Sequence, residues 1–133
     1  MKNKILTDLK LSELERGDYQ TPQYFAHKVC QYVKEHLKCD PRIIIEPTCG
    51  LGNFIEASLD TFENIDRAYG IEIDGDYYSY LLNRFQGETV SIYNQNIFEF
   101  NFNEIKSSID SQEEVLIIGN PPWVTNSELE SLN

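Results

Sequence analysis

The sequence predicts an α/β fold, a parallel sheet of about four strands with flanking helices. Three observations lead there. Short apolar or β-branched runs occur at residues 42–46, 68–73, 90–93 and 115–118. Segments with helical spacing of apolar residues lie between them, and strands alternating with helices form a parallel sheet. Two of the runs, Ile43-Ile44-Ile45 and Val115-Leu116-Ile117-Ile118, are apolar at consecutive positions, as in strands buried on both faces.

In chain order, residues 6–15 carry leucines at 6, 9, 11 and 14, consistent with a short amphipathic helix or cap. A loop follows over residues 17–22. Thr21 before Pro22 reads as an N-cap with proline at the first helical position. The next helix is expected to place Phe25, Val29, Tyr32, Val33 and Leu37 on one face, and Asp40-Pro41 stops it. After the first strand, residues 47–53 (Pro-Thr-Cys-Gly-Leu-Gly-Asn) form a tight turn into a helix bearing Phe54, Ile55 and Leu59. After the second strand, Asp74 caps a helix with Tyr77, Tyr78, Leu81, Leu82 and Phe85. The third strand ends at Asn94-Gln95-Asn96, and the fourth runs into Asn120-Pro121-Pro122-Trp123.

Bulk properties bound the function. At 133 residues, with 41% hydrophobic and 12% aromatic residues, the chain suits one globular domain with a core. Its apolar stretches fall short of the ~20 residues needed to span a bilayer, and no signal peptide is visible, so a soluble cytoplasmic protein without membrane contact is expected. A net charge of −11 disfavours direct nucleic-acid binding by this chain and is compatible with a cationic small ligand. Three cysteines fit reduced intracellular thiols. His27, Cys30, His36 and Cys39 mimic zinc ligands, but His27 and His36 fall ~180° apart on a helix. No metal site is expected.

Chemistry is expected beyond the carboxyl ends of the strands, where open α/β sheets bind ligands. The Gly50-Leu51-Gly52 turn lets backbone approach a ligand and leaves helix amides for an anionic group. It lacks the third glycine of a dinucleotide turn, which favours a smaller, carboxylate-bearing ligand. Glu72 follows Gly50 by 22 residues, near the distance at which an acidic residue holds ribose hydroxyls, although a solvated strand-end carboxylate reads the same way. Asn96 could read an adenine edge or simply make a turn. In Asn120-Pro121-Pro122-Trp123 the prolines leave backbone carbonyls as acceptors, Asn adds a side-chain carbonyl, and Trp offers a flat face. That set suits an amino group on an aromatic ring.

Taken in order, these segments resemble the amino-type DNA adenine-N6 methyltransferases of restriction–modification systems. Gly17-x-x-x-Thr21-Pro22 is similar to the family's N-terminal cofactor motif, and residues 46–54 to its glycine-rich motif. Residues 70–74 are similar to its ribose motif, and Gly119-Asn120-Pro121-Pro122-Trp123 to its catalytic motif. The match spans nearly the whole chain, from Gly17 to Trp123. The resemblance implies a partial Rossmann-like fold with strand order 3-2-1-4 and S-adenosyl-L-methionine as cofactor. It also implies methyl transfer to the N6 amine of adenine.

By that resemblance, Thr21, Glu46, Pro47, Thr48, Cys49, Gly50, Gly52 and Phe54 would form the methionine side of the cofactor site. Glu72, with Ile73 beside it, would bond the ribose. Asn96, where the family usually has Asp, and Ile97 would meet the cofactor's adenine. Asn120, Pro121, Pro122 and Trp123 would be catalytic. The chain would be the N-terminal part of a catalytic domain, with a helical segment over residues 1–40 and an α/β core over 41–133. Double-stranded DNA would be held by regions missing from this chain, and a homodimer or a complementing segment would cover the open fourth strand. Similar motifs serve RNA-base and protein-glutamine methylation. Methylation of RNA bases, a cofactor-binding module inactive alone, and more distantly a dehydrogenase therefore remain alternatives.

Overall fold

The isoleucine run at positions 43–45 lies at the centre of the sheet. β1 (Ile43–Glu46) is buried at every position. It pairs in parallel with β2 (Arg67–Ile71) on one side and β4 (Val115–Ile117) on the other, while β3 (Val90–Tyr93) pairs with β2. The order is β3-β2-β1-β4, as expected. The computed structural model describes residues 20–122. The expectations for residues 6–15, Gly17 and Trp123 lie outside the described residues.

Side chains alternate across a strand, so the run is shared between two cores. Ile44 packs with Phe54, Ile55, Ala68 and Leu81 on one face, and Ile43 and Ile45 pack with Tyr69, Ile71, Phe100 and Ile105 on the other. α1 (Gln23–His36) and α2 (Asn53–Thr61) pack together over the first core, which also takes in Leu81 of α3 (Gly75–Arg84). α4 (Asn103–Lys106) contributes Ile105 to the second.

Several local expectations need correction. α1 starts at Gln23, with Pro22 in the capping position at φ −58° and ψ 144° and no side-chain cap. The Pro22 carbonyl accepts the Phe25 and Ala26 amides, and Thr21 lies one residue outside. The packed face of α1 is Ala26, Val29, Cys30 and Val33, whereas Phe25, Tyr32 and Leu37 are at least half exposed. Small residues won because α1 lies close on α2, with Cys30 Sγ 3.6 Å from Ser58 Oγ. β2 stops at Ile71, two residues earlier than expected. The Asn94 side chain takes over there, donating to the carbonyls of Glu72 and Ile73. β4 is one residue shorter, although Ile118 N still donates to Ile45 O. Asp74 caps α3 as expected, accepting from the Asp76 and Tyr77 amides.

Among the described residues no helix is long and apolar enough to cross a membrane. The histidines and thiols of the zinc-like pattern are spread apart in their bonding. His27 bonds Asp60, Cys30 packs on Ser58, and His36 stacks on Tyr32.

Candidate active site

The segments that follow all four strands open onto one cleft of about 520 Å³. The position is the one an open parallel sheet creates, because every strand delivers its carboxyl end to the same rim. Of the site residues expected from sequence and described here, all but Gly52 and Phe54 line it.

The floor is the turn between β1 and α2. Cys49 N donates to Ile71 O and Gly52 N to Cys49 O, which folds residues 49–52 tightly against β2. Gly50 and Gly52 take left-handed φ of 52° and 81°, conformations that cost other residues roughly 1–2 kcal/mol. A Cβ at Gly52 would lie 2.5 Å from the Phe85 ring, so Gly52 shapes the turn from behind. Phe54 is buried in the core beneath it.

Glu72 stands at the end of β2 and is 8% exposed. Its two oxygens accept from the amides of Gly50 (2.7 Å) and Asp74 (2.9 Å). Each carboxylate oxygen has a second lone pair, so this pairing is compatible with further hydroxyl donors. Asn96 makes a local turn, its Oδ1 accepting from Phe98 N at 3.0 Å. Ile73 and Phe98 stand at the rim, 66% and 95% exposed.

Glu46, at the end of β1, is a buried carboxyl. Burial pushes its pKa well above the ordinary value of 4.5. The charge of Glu72 adds to the rise, while the Ile55 amide and Arg84 oppose it. The Ile55 amide, in the first turn of α2, donates to Glu46 Oε2 at 3.2 Å. A cationic ligand entering the cleft would therefore meet acidic groups from two strands. Cys49 is a buried thiol whose pKa is raised by desolvation.

Asn120 follows β4, with Pro121 and Pro122 beyond it on the cleft wall. Asn120 Nδ2 donates to Thr21 Oγ1 at 3.3 Å, so the segments before α1 and after β4, far apart in sequence, are in contact. Gly119 passes close to Glu46, where a Cβ would lie 3.3 Å from Glu46 Cγ.

Sequence reading missed Gln20, Asn53, Ile71, Asp74, Tyr77, Gln95 and Phe98 as cleft residues. All but Tyr77 lie within or beside flagged motifs or their turns, which was the available signal. Tyr77 appeared only as part of the helix that Asp74 caps.

No protein-family profile matches the chain. Over 132 residues, 97% of the chain, it is 38% identical to the type II methyltransferase M.NspV of a Nostoc species. It spans 27% of that relative's length. Among solved structures it resembles a Pyrococcus horikoshii protein provisionally described as an RNA methyltransferase, with a TM-score of 0.51 and 19% identity. That likeness covers 63% of this chain and 42% of the other. It shows the fold alone. By sequence over nearly its whole length the chain is similar to a type II methyltransferase, and its sheet has the expected Rossmann-like strand order.

Proposed function

We propose that this chain forms the cofactor-binding and catalytic part of a DNA methyltransferase of a restriction–modification system. In this reading it uses S-adenosylmethionine to methylate the exocyclic N6 amine of adenine. The observation that supports the reading most is the meeting of Glu46, Glu72 and Asn120-Pro121-Pro122 in one cleft.

The residues present fit the cofactor. Two acidic groups, Glu46 and Glu72, suit a ligand carrying a sulfonium, an ammonium and ribose hydroxyls. Backbone at the glycine turn and the start of α2 suits its carboxylate. The exposed faces of Ile73 and Phe98 suit a planar ring. When bound, S-adenosylmethionine supplies a methyl group already activated by the sulfonium. The protein's task is then mostly in-line positioning.

An exocyclic adenine amine is a poor nucleophile because its lone pair is delocalised into the ring. In our reading Asn120 Oδ1 and the Pro121 carbonyl accept its two hydrogens and favour a more tetrahedral nitrogen. The hydrogen bond to Thr21 orients the Asn120 amide for this role. Asn is no strong base, so the amine is polarised and not deprotonated beforehand. The target base leaves the duplex to reach the cleft, and Trp123 stacks on it. With a net charge of −11, the chain leaves the phosphate contacts to a basic surface elsewhere.

The test is incubation of the chain with methyl-labelled S-adenosylmethionine and mixed-sequence duplex DNA, followed by nucleoside digestion. Label in N6-methyladenine supports the reading, and label only in RNA or protein controls contradicts it. Cofactor binding without transfer supports instead a module that is inactive alone. Where transfer occurs, Asn120→Ala lowers it by about 100-fold or more while cofactor affinity stays within about twofold.

A further inference from the structure

Arg84, the last residue of α3, is the start of a series of hydrogen bonds that ends at Asn120. Its side chain is only 15% exposed and pairs with the Glu56 carboxylate of α2. The same guanidinium donates to the Leu51 carbonyl and, at 2.8 Å, to Asn53 Oδ1. Asn53 Nδ2 donates to the Thr21 carbonyl at 2.7 Å. Thr21 Oγ1 then receives Asn120 Nδ2 at 3.3 Å. Alongside, Gln20 Oε1 accepts from Leu51 N at 3.1 Å. Residues 20 and 21 are thereby sewn to the glycine turn before α1 begins.

The direction of the series is set by chemistry. A guanidinium only donates and a backbone carbonyl only accepts, so the Asn53 amide has one orientation that satisfies both. It holds the Thr21 backbone against the start of α2. The Thr21 hydroxyl is thereby presented to Asn120, which meets it with its amide nitrogen.

We infer that Asn53 is a positioning residue, which holds Thr21 so that its hydroxyl engages and restrains the Asn120 side-chain amide, while Arg84 holds Asn53 in place. Its importance for catalysis rests on the methyl-transfer reading. The physical coupling does not.

The test is hydrogen exchange of the Asn120 side-chain amide, followed by NMR on the isotope-labelled chain without cofactor. The signal is assigned by its loss in Asn120→Asp. Asn53→Asp keeps the acceptor for Arg84 but turns an oxygen toward the Thr21 carbonyl. It is expected to speed Asn120 exchange about fivefold, the worth of one hydrogen bond. Thr21→Val should do the same, and Thr21→Ser, which keeps the hydroxyl, should stay within about twofold of the native rate. Circular dichroism establishes that each variant is folded, and Asn53→Ala replaces Asn53→Asp if the latter is not. Unchanged Asn120 exchange in a folded Asn53 variant overturns the inference, and so does a response to Thr21→Val alone. Because no cofactor is added, the coupling can fail while methyl transfer is confirmed, or hold while the functional reading fails.

Discussion

The Gly50 amide donates to Glu72 Oε2 at 2.7 Å, joining the glycine turn to the end of β2 across 22 residues of sequence. Glu72 Oε1 accepts from Asp74 N at the same time. Both oxygens of this buried side chain therefore face N–H donors, and only a carboxylate offers two acceptors. Glu72→Gln would turn its NH₂ toward one of those amides. The expected loss is about 1–3 kcal/mol of stability, the cost of a buried donor without an acceptor. Urea denaturation measures it, and a loss below about 0.5 kcal/mol would count against the pairing.

Glu46 gives stability a pH dependence of definite sign. Its native pKa is raised, chiefly by burial, so the folded state holds the proton more tightly than the unfolded one. Its contribution therefore weakens as pH climbs from the ordinary value of 4.5 through the raised native value. Glu46→Gln should gain stability over the native chain progressively as pH rises. Denaturation midpoints across that range provide the check, and a constant difference would contradict it. Affinity for a cationic cofactor should move the opposite way and rise with pH, because the ionised carboxylate binds the cation.

His27 acts in the same direction, with stability again falling as pH rises, but more weakly. Its two ring nitrogens face the Gln23 carbonyl at 2.8 Å and Asp60 Oδ2 at 2.9 Å. Both are acceptors, which the imidazolium satisfies together. The hydrogen bond to Asp60 and then that to Gln23 raise its pKa above 6.5. The stabilisation is complete below 6.5 and fades as pH rises through the native value. Asp60 is 59% exposed, so screening limits the effect to about 0.5 kcal/mol. Asp60→Asn should remove this component from the pH profile of stability.

Gly70 lies where β2 passes under α2. A Cβ there would lie within 3.0 Å of Ile92, Cys49 and Ile55 side-chain atoms. Gly70→Ala should destabilise by about 1–3 kcal/mol through overpacking. Thermal unfolding would show it, and an unchanged Tm would mean that the core has slack.

The strands and the clustering of motifs at one cleft were legible because they depend on consecutive apolar residues and on Gly, Asn and acidic residues at strand ends, whereas the strand order was implied by the family resemblance. What escaped was decided by partners distant in sequence. The packed face of α1 was misread because the large aromatic rings of Phe25 and Tyr32 offer more surface to bury than Ala26 and Cys30, and only the closeness of Ser58 on α2 favours the smaller pair. Thr21 has the composition of a cap, but Asn120 engages its hydroxyl. α4 is too short for any periodicity to register. Asn53 lies in the glycine-rich motif but was given no role there, and Arg84 lies outside every motif; their significance appears only once Leu51, Thr21 and Glu56 surround them.

The central claim is that the cleft binds S-adenosylmethionine with Glu72 on the ribose. Titration calorimetry of the full chain with S-adenosylmethionine tests it most directly, with Glu72→Ala as the comparison and circular dichroism as the fold control. The account predicts saturable binding to the native chain, weakened about tenfold or more in a folded Glu72→Ala variant, the worth of a charge-assisted hydrogen bond. A folded native chain that shows no binding, or a folded Glu72→Ala variant that binds equally well, would contradict it.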